Sequence, residues 1–302
     1  KESNSQGGLI MKITKMHGLG NDFIIYDNRA EPLFDASAMA QKLCPRRTSV
    51  GADGLILIEE SDTADIKMRI INADGSEAEM CGNGIRCFAR YCFDKGIVRQ
   101  SGFTVETLAG IMTPNVLTDG KVTLGVRVDM GVPAFQREKI PMRGEGSTLR
   151  QSVSVGDKTY EISSVLMGVP HTMVLVDNLS DVDIAAEGAP LERHEMFPNG
   201  TNVSFVERVD EGRVKMRTFE RGCGPTMACG TGACGVAAML KRLGLAGDKL
   251  IVELEAGELE IEHNAGRIYM TGPAEYVFEG TTEDEQLTHD DIMFQMMMGM
   301  LC

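Results

Sequence analysis

Apolar and polar residues alternate along most of this chain in runs of four to eight, and Gly, Asn, Asp or Pro bounds nearly every run. Such short segments, rich in β-branched residues, predict strands. They fall at residues 11–14, 23–26, 55–59, 66–71, 103–108, 122–128, 160–164, 173–176, 203–207, 213–219, 250–254 and 267–270. Helical spacing stands out at two places. Ile85, Phe88, Ala89 and Cys92 form one apolar face, and Ala233, Val236, Ala237 and Leu240 form another. Both stretches are rich in small residues, which suits a helix enclosed by sheet. Weaker helical patterns lie at 36–43, with Asp35 as an N-cap, and at 184–187.

The pattern occurs twice. Cys81-Gly82-Asn83-Gly84 returns 148 residues later as Cys229-Gly230-Thr231-Gly232, and Met68-Arg69-Ile70-Ile71-Asn72 lies over Met216-Arg217-Thr218-Phe219-Glu220 at the same offset. The segment 105–110 matches 252–257 at an offset of 147, and Gly18-Leu19-Gly20-Asn21 lies over Gly168-Val169-Pro170-His171 at 150. Four segments in one order at nearly one offset mark an ancestral unit of about 150 residues present twice. The expected architecture is α/β (α+β), with two similar domains, each mostly strands around a central helix that begins at its cysteine. The units run from 11 to 128 and from 129 to 275. Gly131-Val132-Pro133-Ala134 resembles Gly272-Pro273-Ala274, so the segment ending each unit is expected to cross to the other domain. A last strand near 276–279 would rejoin the first domain, within a segment 276–290.

Composition narrows the partners. A chain of 302 residues with 43% hydrophobic and 25% charged residues can build two cores. A net charge of −14 argues against a broad nucleic-acid surface, which needs a basic face. No apolar run approaches the roughly 18 residues of a membrane span. Residues 1–10 read as a leader foreign to the natural chain, which would start at Met11, and no secretory signal is present. Eight cysteines without such a signal suggest free thiols in a cytoplasmic protein. Their spacing contains no C-x-x-C, so no metal site is expected. The methionine-rich segment 291–302 reads equally well as a packed or a frayed tail.

Each repeated cysteine falls at the first turn of its helix, where backbone N–H groups lack intrahelical partners. The positive end of the helix dipole favours a thiolate and is expected to lower the thiol pKa. The glycines beside each cysteine let the backbone approach a ligand, and the free amides suit a carboxylate. One such turn alone would read as a glycine-shaped helix start with an inert cysteine. Two in matching positions of a duplicated chain suggest two thiols facing one pocket. One thiolate would remove a proton from a carbon while the opposite thiol delivers one to its other face. That is general acid–base catalysis without a cofactor.

The blocks MHGLGNDF (16–23), GADGLI (51–56), NADGSEAEMCGNGIRCFARY (72–91), GVPH (168–171), NGTNVSFV (199–206) and FERGCGPTMACGTGAC (219–234) together resemble the diaminopimelate epimerase family. The resemblance runs from residue 11 to about 280. It implies two α/β halves, each a mixed sheet wrapped around a central helix, with the active site in the cleft between them. It implies Cys81 and Cys229 as the acid/base pair, with His171 and Glu220 near the reacting centre. Asn21, Asn72, Asn202, Glu220 and Arg221 would bind substrate, and the amides of Gly82-Asn83 and Gly230-Thr231 would cradle its carboxylate. The implied activity is the cofactor-independent interconversion of LL- and meso-2,6-diaminopimelate in lysine biosynthesis. A two-thiol racemase of proline or hydroxyproline and a redox-sensing binding protein are the alternatives, and a homodimer stays open. Val169, Gly54 and Pro225 depart from the family pattern, and the first two bear on recognition of the substrate's far end.

Overall fold

The computed structural model describes residues 9–284. The leader up to residue 8, the segment 285–290 and the methionine-rich tail lie outside the described residues.

The first half contains β1 (Leu9–Gly18), β2 (Asn21–Asp27), α1 (Ala36–Leu43), β3 (Gly54–Glu59), β4 (Ile66–Asn72), β5 (Glu77–Ala78), α2 (Gly82–Asp94), β6 (Val105–Thr107) and β7 (Gly110–Met112). A hairpin follows, β8 (Asn115–Thr118) and β9 (Thr123–Gly131). The second half contains β10 (Gln151–Val155), β11 (Lys158–Met167), β12 (Val169–Val176), α3 (Ile184–Glu192), β13 (Asn202–Arg208), β14 (Arg213–Glu220), β15 (Gly224–Thr226), α4 (Gly230–Arg242), β16 (Lys249–Leu254), β17 (Gly257–Asn264) and β18 (Arg267–Gly272). The last described strand is β19 (Glu275–Asp284).

The strands form two sheets of matching order. One runs β19-β1-β2-β3-β4-β6-β7, and the other β10-β11-β12-β13-β14-β16-β17-β18-β9-β8. β2 pairs with β3 in parallel, as β12 does with β13, and β4 with β6, as β14 does with β16. A parallel pair needs a crossover rather than a tight turn, and α1, α3, α2 and α4 occupy those four crossovers. The duplication in the sequence is thus a duplication of topology.

Each central helix fills its own sheet. α2 buries Ile85, Cys87, Phe88, Ala89 and Cys92 against strand residues such as Ile56 and Ile70. α4 is buried nearly all round, from Ala233 to Leu240, and its small residues let the surrounding strands come close. Burying each large side chain among these contributes about 1.5–3 kcal/mol.

The halves also exchange pieces. β19 lies antiparallel on β1, so the chain's last described strand rejoins the first sheet. In the opposite sense, β9 pairs with β18 in the second sheet. Its side chains do otherwise: Val126 and Val128, with Val116 of β8, pack against α2 in the first core. Hydrogen bonding therefore assigns 115–131 to the second sheet, earlier than the 128/129 division read from the repeat, while packing leaves it with the first core. No helix among the described residues is long and apolar enough to cross a membrane.

Candidate active site

Cys81 and Cys229 are the N-caps of α2 and α4, both in extended conformation. Their carbonyls accept the first helical hydrogen bonds from Ile85 and Ala233, at 2.9 and 3.0 Å. The Cys81 sulfur accepts from the Gly84 amide at 3.5 Å, and Cys229 Sγ lies 3.7 Å from Thr231 Oγ1. The two helix starts converge on one side chain. A Cβ added to Gly82 would lie 3.1 Å from Met270 Cε, and one added to Gly230 would lie 3.0 Å from Met270 Sδ. These glycines therefore make room for protein atoms as well as for any ligand.

The surroundings of the two thiols differ. In the first half, Asn21 Oδ1 accepts from Cys81 Sγ at 3.5 Å and from Asn83 Nδ2 at 3.2 Å. Asn21 Nδ2 donates to Asp53, which is ion-paired with Arg46. Asn72 sits at the end of β4, its side chain donating to Ser76 Oγ, and the next residue's amide is tied to the Asp53 carbonyl. In the second half, the Glu220 carboxylate hydrogen-bonds the Cys229 thiol, and Thr226 Oγ1 donates to Glu220 at 2.6 Å. The Asn202 side chain spans two backbone groups, donating to the Pro170 carbonyl and accepting from the Arg221 amide. His171, directly opposite Asn202 in the parallel β12/β13 register, is fully buried. Neither of its ring nitrogens has a hydrogen-bond partner among the described residues. α4 presses on it at Gly235, where an added Cβ would lie 3.3 Å from His171 Cβ.

At both thiols burial outweighs the hydrogen bonds that favour a thiolate. It pushes the Cys81 thiol up, against the Gly84 and Asn83 amides and the Arg86 charge, and Glu220 adds to the rise. Burial and then Glu220 push Cys229 up to about 12. The expectation of lowered thiol pKa values is thus reversed, because desolvating a thiolate here costs more than the amides at the helix start return. Glu220 influences both cysteines, which ties the two halves into one electrostatic unit. Burial, with the nearby Arg221 charge, lowers His171 to about 3, so it is neutral.

Asp53, Arg46 and Arg86 carry no signal in the repeat and were absent from the sequence reading of the site. Arg86 is fully buried and donates to the Gly82 and Pro273 carbonyls and to Asn83 Oδ1. Of the family departures, Gly54 has no room for a side chain, since an added Cβ would fall 2.8 Å from the Ile71 carbonyl oxygen. Val169 opens β12 with an exposed side chain, and Pro225 lies in β15 opposite Phe219.

Residues 13–136 and 163–277 match the family model of diaminopimelate epimerase. A diaminopimelate epimerase of Heliobacterium modesticaldum is 48% identical over 278 residues, covering 89% of this chain and 99% of its own length. One of Methanococcus maripaludis is 45% identical over 274 residues, with 89% and 99% coverage. Among solved structures, a Bacillus anthracis phenazine biosynthesis protein of the PhzF family superposes with a TM-score of 0.67 at 19% identity, covering 91% of this chain and 99% of that one. A hydroxyproline epimerase from Agrobacterium vitis superposes with a TM-score of 0.66 at 14% identity, covering 92% and 93%. At those identities the likeness is one of fold.

Proposed function

The chain belongs to the diaminopimelate epimerase family, and on that premise we propose that it interconverts LL- and meso-2,6-diaminopimelate through Cys81 and Cys229, as a cytoplasmic enzyme of lysine biosynthesis. One observation carries the reading. Two cysteines occupy the N-cap positions of two equivalent helices whose starts flank the same Met270 side chain, and one carboxylate, Glu220, acts on both thiols.

In this reading the α-carboxylate of the substrate takes the free amides of Gly82-Asn83 and Gly230-Thr231. Both helix dipoles then stabilise the negative charge that develops when the α-proton leaves. One sulfur, as thiolate, takes that proton, and the other gives its S–H proton to the opposite face. Each inversion therefore exchanges thiol and thiolate between the two cysteines, and the enzyme consumes nothing. The buried thiols are strong bases once deprotonated, which suits a weakly acidic C–H. Glu220, hydrogen-bonded to Cys229, is the acceptor for its proton. His171, neutral and with neither ring nitrogen partnered among the described residues, offers its lone pair to the substrate's ammonium group and its N–H to the carboxylate. Asn21, Asn72, Asn202 and Arg221 are assigned to holding substrate, Asn202 acting partly by fixing the Arg221 backbone. The net charge of −14 supports a small-molecule enzyme without nucleic-acid partners.

The test is solvent deuterium exchange at the α-carbon, with diaminopimelate and proline side by side. Exchange with diaminopimelate is expected, and exchange with proline alone would assign the site to a racemase of that amino acid. Cys81→Ala and Cys229→Ala should each abolish inversion. Near-normal turnover in either variant contradicts the two-thiol mechanism.

A further inference from the structure

The hydrogen bonds beside Cys81 run in one direction, and both ends of the chain set that direction. Arg86 Nη2 lies 2.9 Å from Asn83 Oδ1. A guanidinium only donates, so Asn83 accepts there and its Nδ2 is left to donate to Asn21 Oδ1 at 3.2 Å. From the other end, Asn21 Nδ2 lies 2.7 Å from Asp53 Oδ2. An ionised carboxylate only accepts, and Arg46 holds Asp53 in place. Amide orientation is inferred from such partners, and two independent ends agree on it. The consequence falls on Cys81. Asn21 turns its carbonyl oxygen, and not its N–H, towards the sulfur at 3.5 Å. That oxygen accepts an S–H proton and repels a thiolate.

We propose that Asp53, with Arg86 at the far end, is a positioning residue that locks this amide polarity and holds Cys81 as the proton-bearing thiol in the substrate-free enzyme. The proposal rests on the two-thiol reading above and deepens it, since the family pattern leaves open which cysteine enters as the acid. Asn21 has His171 as its repeat counterpart, so the second half has no equivalent amide lock. The acceptor at Cys229 is the Glu220 carboxylate, a base that can take the proton away, as an amide oxygen cannot. The other groups acting on Cys81 are the Gly84 and Asn83 amides, which favour the thiolate, Arg86 and Cys87 of α2, and Glu220 of β14. Arg86 has two opposed effects: its charge favours the thiolate, while its hydrogen bond to Asn83 enforces the acceptor that disfavours it. Asp53 acts in one sense only, which makes it the position to change.

The experiment is the rate of iodoacetamide alkylation at Cys81 against pH, read by mass spectrometry of its peptide in the full chain. In Asp53→Asn, Arg46 retains the remaining oxygen and the new NH2 faces Asn21, so this end now favours the turned amide with its N–H towards the sulfur, opposed only by the Asn83 contact. Cys81 should alkylate about tenfold faster at neutral pH, because the thiolate fraction governs the rate. Asp53→Glu keeps the carboxylate and should restore the wild-type profile. An unchanged or slowed profile in folded Asp53→Asn overturns the proposal, as does acceleration in Asp53→Glu equal to that in Asp53→Asn. Alkylation needs no substrate, so a wrong substrate assignment would leave this result untouched.

Discussion

At the residue scale the two thiols occupy equivalent positions with unlike neighbours, and the difference was half visible beforehand. The repeat places Asn21 against His171 and Asn72 against Glu220, so divergence around the cysteines could be read directly. What these substitutions do could not. Glu220 reaches the thiols of both halves, and a charge acting across a duplicated interface leaves no trace in spacing. Asp53 and Arg86 escaped for a similar reason: Asp53 reaches Cys81 only through the Asn21 amide, and Arg86 through Asn83 and its charge. Glu220→Gln tests the electrostatics. Removing the carboxylate charge should bring Cys229 down from about 12, but not below its ordinary value of 9.0, because burial is the larger cause of the rise. The sign is fixed, since a neighbouring negative charge disfavours the thiolate. Ultraviolet titration of the thiolate would show it, and an unchanged midpoint contradicts the assigned contact. On the proposed role of Glu220 as proton acceptor, turnover should fall about 10²-fold or more.

The elements explain why the cysteine turns are so glycine-rich. Gly232 lies in the first turn of α4, where an added Cβ would sit 3.1 Å from Cys229 Sγ and 3.4 Å from Ser204 Oγ. Alanine is the better helix former by about 1 kcal/mol. Gly232→Ala should therefore keep or raise the melting temperature while displacing the sulfur and cutting kcat at least about tenfold, since misplacement by an ångström is costly. Full activity in that variant would show that the turn has slack. The β1–β2 connection makes a similar point. Leu19 and Gly20 both have positive φ, 56° and 82°, as a two-residue hairpin with matching twist requires. Leucine is strained there, yet its side chain is buried in the second half's core, against Gly257. That anchor sets the hairpin, and with it Asn21, against the opposite domain. The strands that escaped the sequence pattern, β5, β7, β8, β10, β15 and β17, are mostly short, and several present exposed residues to solvent. β17 (GELEIEHN) does alternate, but it follows β16 so closely that one run masked the next.

For the whole molecule, the exchange of β19 and the β8–β9 hairpin makes the halves interdependent. β19 covers the edge of β1, and Arg90 of α2 donates to the Ala274 carbonyl and stacks on the Tyr276 ring. Deleting residues 275–302 should expose the β1 edge and abolish soluble expression, whereas the intact chain should unfold in one transition. A truncated protein with the full-length melting temperature would contradict this. The sequence by itself determined the duplication, the two central helices, the thiol at the start of each and the family to which the chain belongs. Each of these is written in local periodicity or in residues close together along the chain. Only the tertiary structure decided that the exchange begins as early as residue 115, that burial outweighs the hydrogen bonds favouring a thiolate at both cysteines, and that one carboxylate acts on the two. Those outcomes depend on desolvation and on distances across the interface between halves, where residues some 150 positions apart become neighbours.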